Sequence, residues 1–200
     1  GAITLNGTNN VANLAANISG AGAALSYFDA DSVTIGSVDG TSGITTAGGN
    51  VQVRAVGGDL TVSNNISFGN AESTARNACG INVLASNSNT IIHNVVYANE
   101  DTGLNFYTGS SSNLVIRNVT YGNGDHGIDN NAAPNNVFIG NTVQGNVTVG
   151  INLEGGTSPG SGGATVINNI MVDNGLLRLV GGGTSTGSAG NIRVDAQSLV

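Results

Sequence analysis

The chain has 200 residues, of which 8% are charged, 39% are hydrophobic and 32 are glycine, and its formal net charge is −7. Intrinsic disorder normally requires low hydrophobicity together with high net charge, so this composition indicates a folded chain. No apolar run approaches the roughly 18 residues of a membrane span, and the basic residues, all arginine, form no cluster that could bind a nucleic acid.

The first sixty residues contain short segments in which apolar and polar residues alternate, separated by turns rich in glycine and asparagine. In chain order these predicted strands lie at 11–18, 31–36, 49–55 and 58–63. Glycine and asparagine tolerate the positive φ of tight corners. Because no amphipathic helical segment is found, the pattern predicts an all-β chain.

From residue 61 onward, two markers recur in one register. A glycine followed by an aliphatic residue returns after about 23 residues, at Gly80-Ile81, Gly103-Leu104, Gly127-Ile128 and Gly150-Ile151. An asparagine keeps the same spacing, apart from two insertions, at Asn65, Asn94, Asn118, Asn141 and Asn169. Each of these asparagines is followed five residues later by another. Two independent markers with one period predict a solenoid.

Each coil of about 23 residues is predicted to hold three short strands, which stack on their equivalents about 4.8 Å away in three parallel sheets. Stacked asparagine side chains can then hydrogen-bond along the axis as a ladder. The column two residues before each ladder asparagine is predicted to face the core: Ser63, Ile92, Ile116, Ile139 and Ile167. The next column is predicted to face solvent: Asn64, His93, Arg117, Gly140 and Asn168.

These motifs resemble two known kinds of repeat. Residues 20–66, with Gly-Gly-Asn-Val-Gln-Val and Gly-Gly-Asp-Leu-Thr-Val, resemble the haemagglutinin-type repeats of secreted bacterial exoproteins of the filamentous haemagglutinin kind. Residues 60–175 are similar to the repeats of the pectate-lyase-like superfamily. Both resemblances imply a right-handed parallel β-helix. That superfamily hosts lyases, hydrolases, epimerases and adhesins, so the resemblance does not specify a function.

We expect one domain over residues 1–200. Haemagglutinin-like coils are expected in 1–60, regular pectate-lyase-like coils in 61–175 and a partial final coil in 176–200. The chain opens without methionine and stops in the middle of the pattern, which favours a fragment of a longer protein. Neither end offers a convincing polar cap, so exposed strand edges and end-to-end self-association are expected.

The strand that each glycine-aliphatic pair begins is the candidate site. The resemblance implies catalysis on the outer face of one sheet, by acidic residues from neighbouring coils. Alternation places two outward rows on this strand, Asn82-Asn105-Asp129-Asn152 and Leu84-Tyr107-Asn131-Glu154. Asp101, Asp125 and His126 lie just before it. The candidate catalytic residues are Asp125, His126, Asp129 and Glu154, and the candidate substrate-binding residues are Tyr107, Asn105, Asn131 and Asn152.

Three kinds of chemistry, and one structural alternative, fit this acidic patch. Two carboxyl groups could cleave a glycosidic bond as general acid and base. Asp101, Asp125 and Asp129 could bind Ca²⁺, which takes six or more oxygen ligands. His126 with Tyr107 could abstract and return a proton at a uronic acid carbon, as in lyases or epimerases. Alternatively, these side chains only cap turns and face solvent.

Two further features bear on that choice. Asn130, beside Asp129, places a polar residue in an inward column, and such a departure favours a functional site. The chain has no lysine, and Arg117 belongs to another sheet, which disfavours pectate-lyase-type elimination. The column Phe68-Tyr97-Tyr121 could be a platform for sugar rings, but we interpret it as a stacked structural ladder or core layer.

Two functions are carried forward. The leading hypothesis is a non-catalytic, adhesin-type segment of a bacterial surface protein, structural or glycan-binding. The alternative is a carbohydrate-active enzyme, a hydrolase, lyase or epimerase, that acts on a polysaccharide through the acidic patch. Both predict a secreted or cell-surface location and a polysaccharide or surface glycan as the partner, and neither involves nucleic acid.

Overall fold

The computed structural model describes residues 1–47, 51–55, 58–71, 78–154 and 160–175, together with the backbone of 187–189 and 192–194. In these ranges the regular structure consists of β-strands, and no helix occurs. With one exception, paired strands run parallel. The predicted all-β parallel solenoid is therefore confirmed, whereas the single domain over 1–200 stays a prediction.

Three long sheets run along the solenoid, and the coils between residues 81 and 144 contribute one short strand to each. The eight-stranded sheet contains Asn13–Leu14, Val33–Ile35, Leu60–Ser63, Thr90–Ile92, Leu114–Ile116, Val137–Ile139, Thr165–Ile167 and Gly187–Ala189. The six-stranded sheet contains Ile66–Phe68, Val95–Tyr97, Val119–Tyr121, Thr142–Gln144, Ile170–Val172 and Ile192–Val194. The four-stranded sheet contains Ile81–Leu84, Leu104–Tyr107, Ile128–Asn131 and Ile151–Glu154.

The first third of the chain adds shorter sheets. A three-stranded parallel sheet contains Ile3–Asn9, Leu25–Asp29 and Val51–Ala55. A parallel pair is formed by Ala16–Ala21 and Ile44–Ala47. The exception to parallel pairing is a small hairpin of Ser37–Val38 and Thr41–Ser42. Strands of the early coils thus still pair in parallel, but their register is interrupted and one antiparallel hairpin is added.

The apolar core is one stack of side chains that extends from Ile18 to Met171. Its fully buried members include Ile91, Val115 and Phe138, which lie three residues before a ladder asparagine. The predicted core column was therefore wrong by one residue, because its isoleucines, such as Ile92, are only half-buried.

A left-handed corner residue explains the shift. His93, Arg117 and Asn168 have φ between 51° and 56°, and each directly precedes a ladder asparagine. This corner interrupts the alternation of the strand, so the asparagine turns inward although the residue two before it points outward. The corner residues themselves are exposed, as the sequence predicts.

The predicted asparagine ladder is present and buried. Asn118 Nδ2 donates to Asn141 Oδ1 at 3.1 Å and to the Ile91 carbonyl at 2.9 Å. Its own Oδ1 accepts from the backbone N and the Nδ2 of Asn94, at 3.0 and 2.9 Å. Equivalent bonds join Asn65 to Asn94 and Asn141 to Asn169. Every polar atom of these fully buried amides is thus satisfied.

Two further ladders run parallel to the first. One contains the asparagines five residues downstream, Asn70, Asn99, Asn123, Asn146 and Asn174. The other was missed by the sequence analysis and joins Asn89, Asn113 and Asn136, with amide contacts of 2.8 and 3.0 Å. The sequence does contain a pattern that predicts it, because these asparagines recur with the coil spacing directly before strands of the eight-stranded sheet.

Candidate functional site on the four-stranded sheet

The strand register brings the candidate residues into two outward rows. Asn105, Asp129 and Asn152 are direct neighbours on consecutive strands. Tyr107, Asn131 and Glu154 form the next row in the same way. Side chains about 23 residues apart in sequence therefore lie one strand spacing apart, about 4.8 Å.

The segment before each strand is stacked as well, which holds Asp125 and His126 at the upstream edge of the sheet. The backbone N–H of Asp125 donates to the Asp101 carbonyl at 3.1 Å, and that of Thr148 donates to the Asp125 carbonyl at 2.9 Å. The His126 carbonyl accepts from Gly103 at 2.9 Å. Both functional side chains thus extend from an ordered backbone.

Part of both rows and Asp125 line an open cleft of about 610 Å³ on the outer face of the sheet, whereas His126, Asn152 and Glu154 lie outside its lining. Its lining includes Asp101, Asn105, Tyr107, Asp125, Asp129 and Asn131. Tyr107 is 45% exposed at its edge. The face is therefore a shallow, open depression whose lining includes three carboxyl groups.

Asp129 lies in the cleft with a strongly perturbed carboxyl group. Burial raises the pKa of Asp129 to about 7, and the negative charges of Glu154, Asp125 and Asp101 act in the same direction. The hydrogen bond from Asn152 Nδ2, at 2.9 Å from Asp129 Oδ1, opposes this rise. Near neutral pH, this carboxyl group can both donate and accept a proton.

His126 is joined to the same cluster. Its Nε2 lies 3.2 Å from Asn152 Nδ2 and 3.5 Å from Asp125 Oδ2. Glu154 Oε1 accepts from Asn131 Nδ2 at 2.9 Å one row away. The four candidate catalytic residues are therefore brought together, with asparagine amides between them.

Asn130 has a structural role. Its fully buried amide donates to the Ala133 carbonyl at 2.8 Å, and its Oδ1 accepts from Asn136 Nδ2 at 2.7 Å. It thereby completes the corner of the third ladder. The polar residue in the inward column is explained by this corner and is not by itself a sign of catalysis.

Cys79 and Thr102, to which the sequence analysis gave no role, also line the cleft. Cys79 Sγ lies 3.7 Å from Asp101 Oδ2, and burial raises the pKa of the thiol to about 12. The thiol is therefore neutral at physiological pH. Their position in the sequence could have indicated this, because both directly precede the glycine of a glycine-aliphatic pair.

The three carboxylates of the hypothetical Ca²⁺ site, Asp101, Asp125 and Asp129, line the same cleft. In the described ranges, however, no group of three or more His, Cys, Asp or Glu side chains is arranged to hold a metal ion. The cleft therefore offers separate carboxyl groups and no metal-binding cluster.

The aromatic column forms a stack on the outside of the six-stranded sheet. The rings of Phe68 and Tyr97 are 5.0 Å apart with an interplanar angle of 4°, and those of Tyr97 and Tyr121 are 4.7 Å apart at 2°. The faces between adjacent rings cover one another, so both faces of Tyr97 are occupied by its neighbours. The column is a structural ladder, although it is exposed and not a core layer.

Comparison with known proteins identifies the family. Residues 1–196 match the family described as right-handed β-helix region, and the chain belongs to this family. No curated protein matches the sequence. In the described part of the chain, no helix has the length and apolar character needed to span a membrane.

Two solved structures share the fold. The periplasmic alginate epimerase AlgG has a TM-score of 0.56 and 15% identity, and the match covers 86% of this chain and 49% of that one. A point mutant of AlgG has a TM-score of 0.53 and 16% identity, with the same coverage. The chain thus spans about half the length of these structures, and the likeness establishes the fold alone.

Proposed function

We propose that the protein is a carbohydrate-active enzyme that binds a polysaccharide in the cleft of the four-stranded sheet. The observation that carries this proposal is the position of Asp129, a largely buried carboxyl group with a pKa near 7 inside an open cleft. A group that exchanges its proton near neutral pH suits general acid-base catalysis. The fold shared with a periplasmic alginate epimerase supports a polysaccharide ligand and a location outside the cytoplasm.

The charge of the cleft favours a neutral polysaccharide over a polyuronate. Three of the lining side chains carry carboxyl groups, those of Asp101, Asp125 and Asp129, and none of the described lining residues is basic. Two like charges about 8 Å apart repel by about 2 kcal/mol at an effective dielectric constant of about 20. A uronate carboxylate would meet this repulsion several times, whereas a neutral sugar ring would not.

The row spacing favours cleavage of a glycosidic bond. Asp129 and Glu154 are diagonal neighbours, one strand and two residues apart. Strand geometry places the backbones of such positions about 8 Å apart. Side chains on the same face can bring their carboxyl groups to the separation of about 6.5–9.5 Å found in inverting glycosidases. In this role Asp129 protonates the leaving oxygen, and Glu154 activates a water molecule.

A polysaccharide panel tests the proposal. The protein is incubated with neutral and uronate polysaccharides, and new reducing ends, unsaturated uronates and epimerised sugars are measured separately. We expect new reducing ends from a neutral polysaccharide, and their loss in Asp129→Asn. Asp39→Asn is the matched control, because it is the same substitution at an exposed position with positive φ. Activity that survives Asp129→Asn contradicts the assigned role.

The second candidate is the non-catalytic, adhesin-type surface segment. It is favoured by apolar side chains exposed on the first strand, Ile3 at 40% and Leu5 at 46%, which suit a contact with another chain. In this case no polysaccharide in the panel is altered, while glycan binding or concentration-dependent self-association is retained. Sedimentation at several protein concentrations measures the latter.

A further inference from the structure

Asn152 occupies a special place in the outward row. It is 2% exposed, whereas the row members of the preceding coils, Asn82 and Asn105, are exposed and half-buried. The Asn105 amide bonds only within the row, with its Nδ2 at 3.2 Å from Asn82 Oδ1. The amide nitrogen of Asn152 instead faces two chemically active groups, Asp129 Oδ1 at 2.9 Å and His126 Nε2 at 3.2 Å.

The contact with Asn152 restricts the protonation of His126 Nε2. A primary amide nitrogen carries two hydrogens and no acceptor, so it can bond to Asp129 and His126 together only if both offer lone pairs. Asp129 Oδ1 meets this condition in either protonation state, because a protonated carboxyl group keeps a carbonyl oxygen that accepts. His126 meets it as a neutral imidazole with its proton on Nδ1, because Nε2 must accept.

Asp125 has the opposite preference. Its Oδ2 lies 3.5 Å from the same His126 Nε2 and gains a hydrogen bond only when Nε2 carries a proton. Asn152 and Asp125 therefore compete for one nitrogen. The Asn152 contact is the shorter of the two, and it is reinforced because the same amide also bonds to Asp129.

We propose that Asn152 is a positioning residue that joins Asp129 and His126 into one hydrogen-bonded unit and holds His126 as the neutral tautomer protonated on Nδ1. Its use in catalysis rests on the proposed function, but the tautomer does not. The unit holds the Asp129 carboxyl group, which lines the cleft, beside an oriented imidazole. Because the amide comes from the next coil, the arrangement exists only when the two coils are stacked.

Nitrogen NMR of ¹⁵N-histidine-labelled protein tests this inference without any substrate. The chain has two histidines, and exposed His93 at its corner serves as the internal reference. We expect the His126 Nε2 resonance of a non-protonated, hydrogen-bonded nitrogen above neutral pH. Asn152→Leu, which keeps the size and removes the amide, is expected to shift His126 toward the Nε2-protonated tautomer. Asn152→Ala replaces it if the leucine variant does not fold.

Asn118→Ala is the control for general loss of stability, because it breaks a ladder away from the cleft and is expected to leave the His126 resonances unchanged. A native His126 protonated on Nε2 would overturn the inference, as would an unchanged tautomer in the Asn152 variants. If the panel shows turnover, Asn152→Leu is expected to lower kcat at least about tenfold with little change in KM. If the panel shows none while the tautomer responds as expected, the proposed function fails and the inference on Asn152 stands.

Discussion

The regular coils of residues 78–154 and the first third, residues 1–47, build one solenoid with different polar interiors. In the regular coils, each corner of the core holds a buried asparagine bonded to its equivalents above and below. In the first third, the buried polar group is Asp29, which accepts from the Tyr27 hydroxyl at 2.5 Å and from the Val11 backbone at 3.1 Å. Repeated asparagine contacts thus satisfy the buried polar groups of the regular coils. In the first third, one local cluster around Asp29 does so.

The two regions meet where the ladders end. Asn65 Oδ1 accepts from the Ile44 backbone N–H at 2.8 Å, and Asn89 Oδ1 accepts from that of Leu60 at 3.2 Å. The terminal side chains of these two ladders thus bond to the backbone of the earlier coils. Only the regular coils bring identical rows into register, which is why the acidic cleft is found there.

The largest difference between the regions is expected for alanine in place of glycine. A Cβ at Gly127 would lie 2.7 Å from Asn146 Nδ2 and 2.8 Å from the Gly150 carbonyl, so backbone or ladder must shift. We expect Gly127→Ala to cost more than about 3 kcal/mol of unfolding free energy. Gly7→Ala, in the first third, meets no atom within 4 Å and is expected to be nearly neutral. Urea unfolding of both variants measures the contrast, and equal losses would contradict it.

The second prediction concerns the stability of the protein as a function of pH. It depends on Asp129, the acidic residue in the outward row of asparagines. Because the folded-state pKa of Asp129, about 7, lies above its usual 3.8, this residue lowers stability as pH rises from about 4 through 7. Asp129→Asn removes that dependence and is expected to be more stable than the parent above pH 7, by roughly 4 kcal/mol. Below about pH 4 the two proteins should converge. The unfolding free energy of both proteins is measured at several pH values. A difference between them that does not change with pH would refute the raised pKa of Asp129.

A ladder position gives the third contrast. Asn118→Ala leaves the buried partners Asn94, Asn141 and the Ile91 carbonyl short of hydrogen bonds, at a cost of about 1–3 kcal/mol. Asn17→Ala, at an exposed position of the first third, is expected to change stability by less than about 0.5 kcal/mol. The melting temperature is the measurement. An unchanged value for Asn118→Ala would remove the ladder from the account of stability.

The sequence predicts the fold and the outward rows because both follow from a period. Ladder asparagines and glycine-aliphatic pairs repeat with the coil, so their stacking needs no knowledge of side-chain conformation. The core column was misplaced because left-handed corners such as His93 interrupt the alternation. The contacts of Asn152 could not be predicted either, since they depend on rotamers and burial and join residues of different coils. The raised pKa of Asp129 could not be predicted for the same reason, because it depends on burial and on charges from neighbouring coils.

The smallest effect concerns the exposed aromatic stack. Tyr97 lies between Phe68 and Tyr121, so Tyr97→Leu removes two stacked contacts, while Tyr121→Leu removes one. An aromatic pair contributes about 0.5–1.5 kcal/mol beyond the area it buries. We expect a loss of about 1–2 kcal/mol for Tyr97→Leu and about half of that for Tyr121→Leu.

The counterpart in the first third is the Arg54 guanidinium, which lies 5.7 Å from the centre of the Phe28 ring. An exposed cation-π contact contributes about 0.5–1 kcal/mol, so Phe28→Leu is expected to cost less than Tyr97→Leu beyond its lost apolar area. Urea unfolding of the three variants gives the ranking, and titration with any polysaccharide that the panel identifies gives a second readout. If the stack is structural, its variants lose stability while their affinity for the polysaccharide is unchanged. A Tyr97→Leu protein with parental stability and weakened polysaccharide binding would instead make the stack a sugar-binding surface.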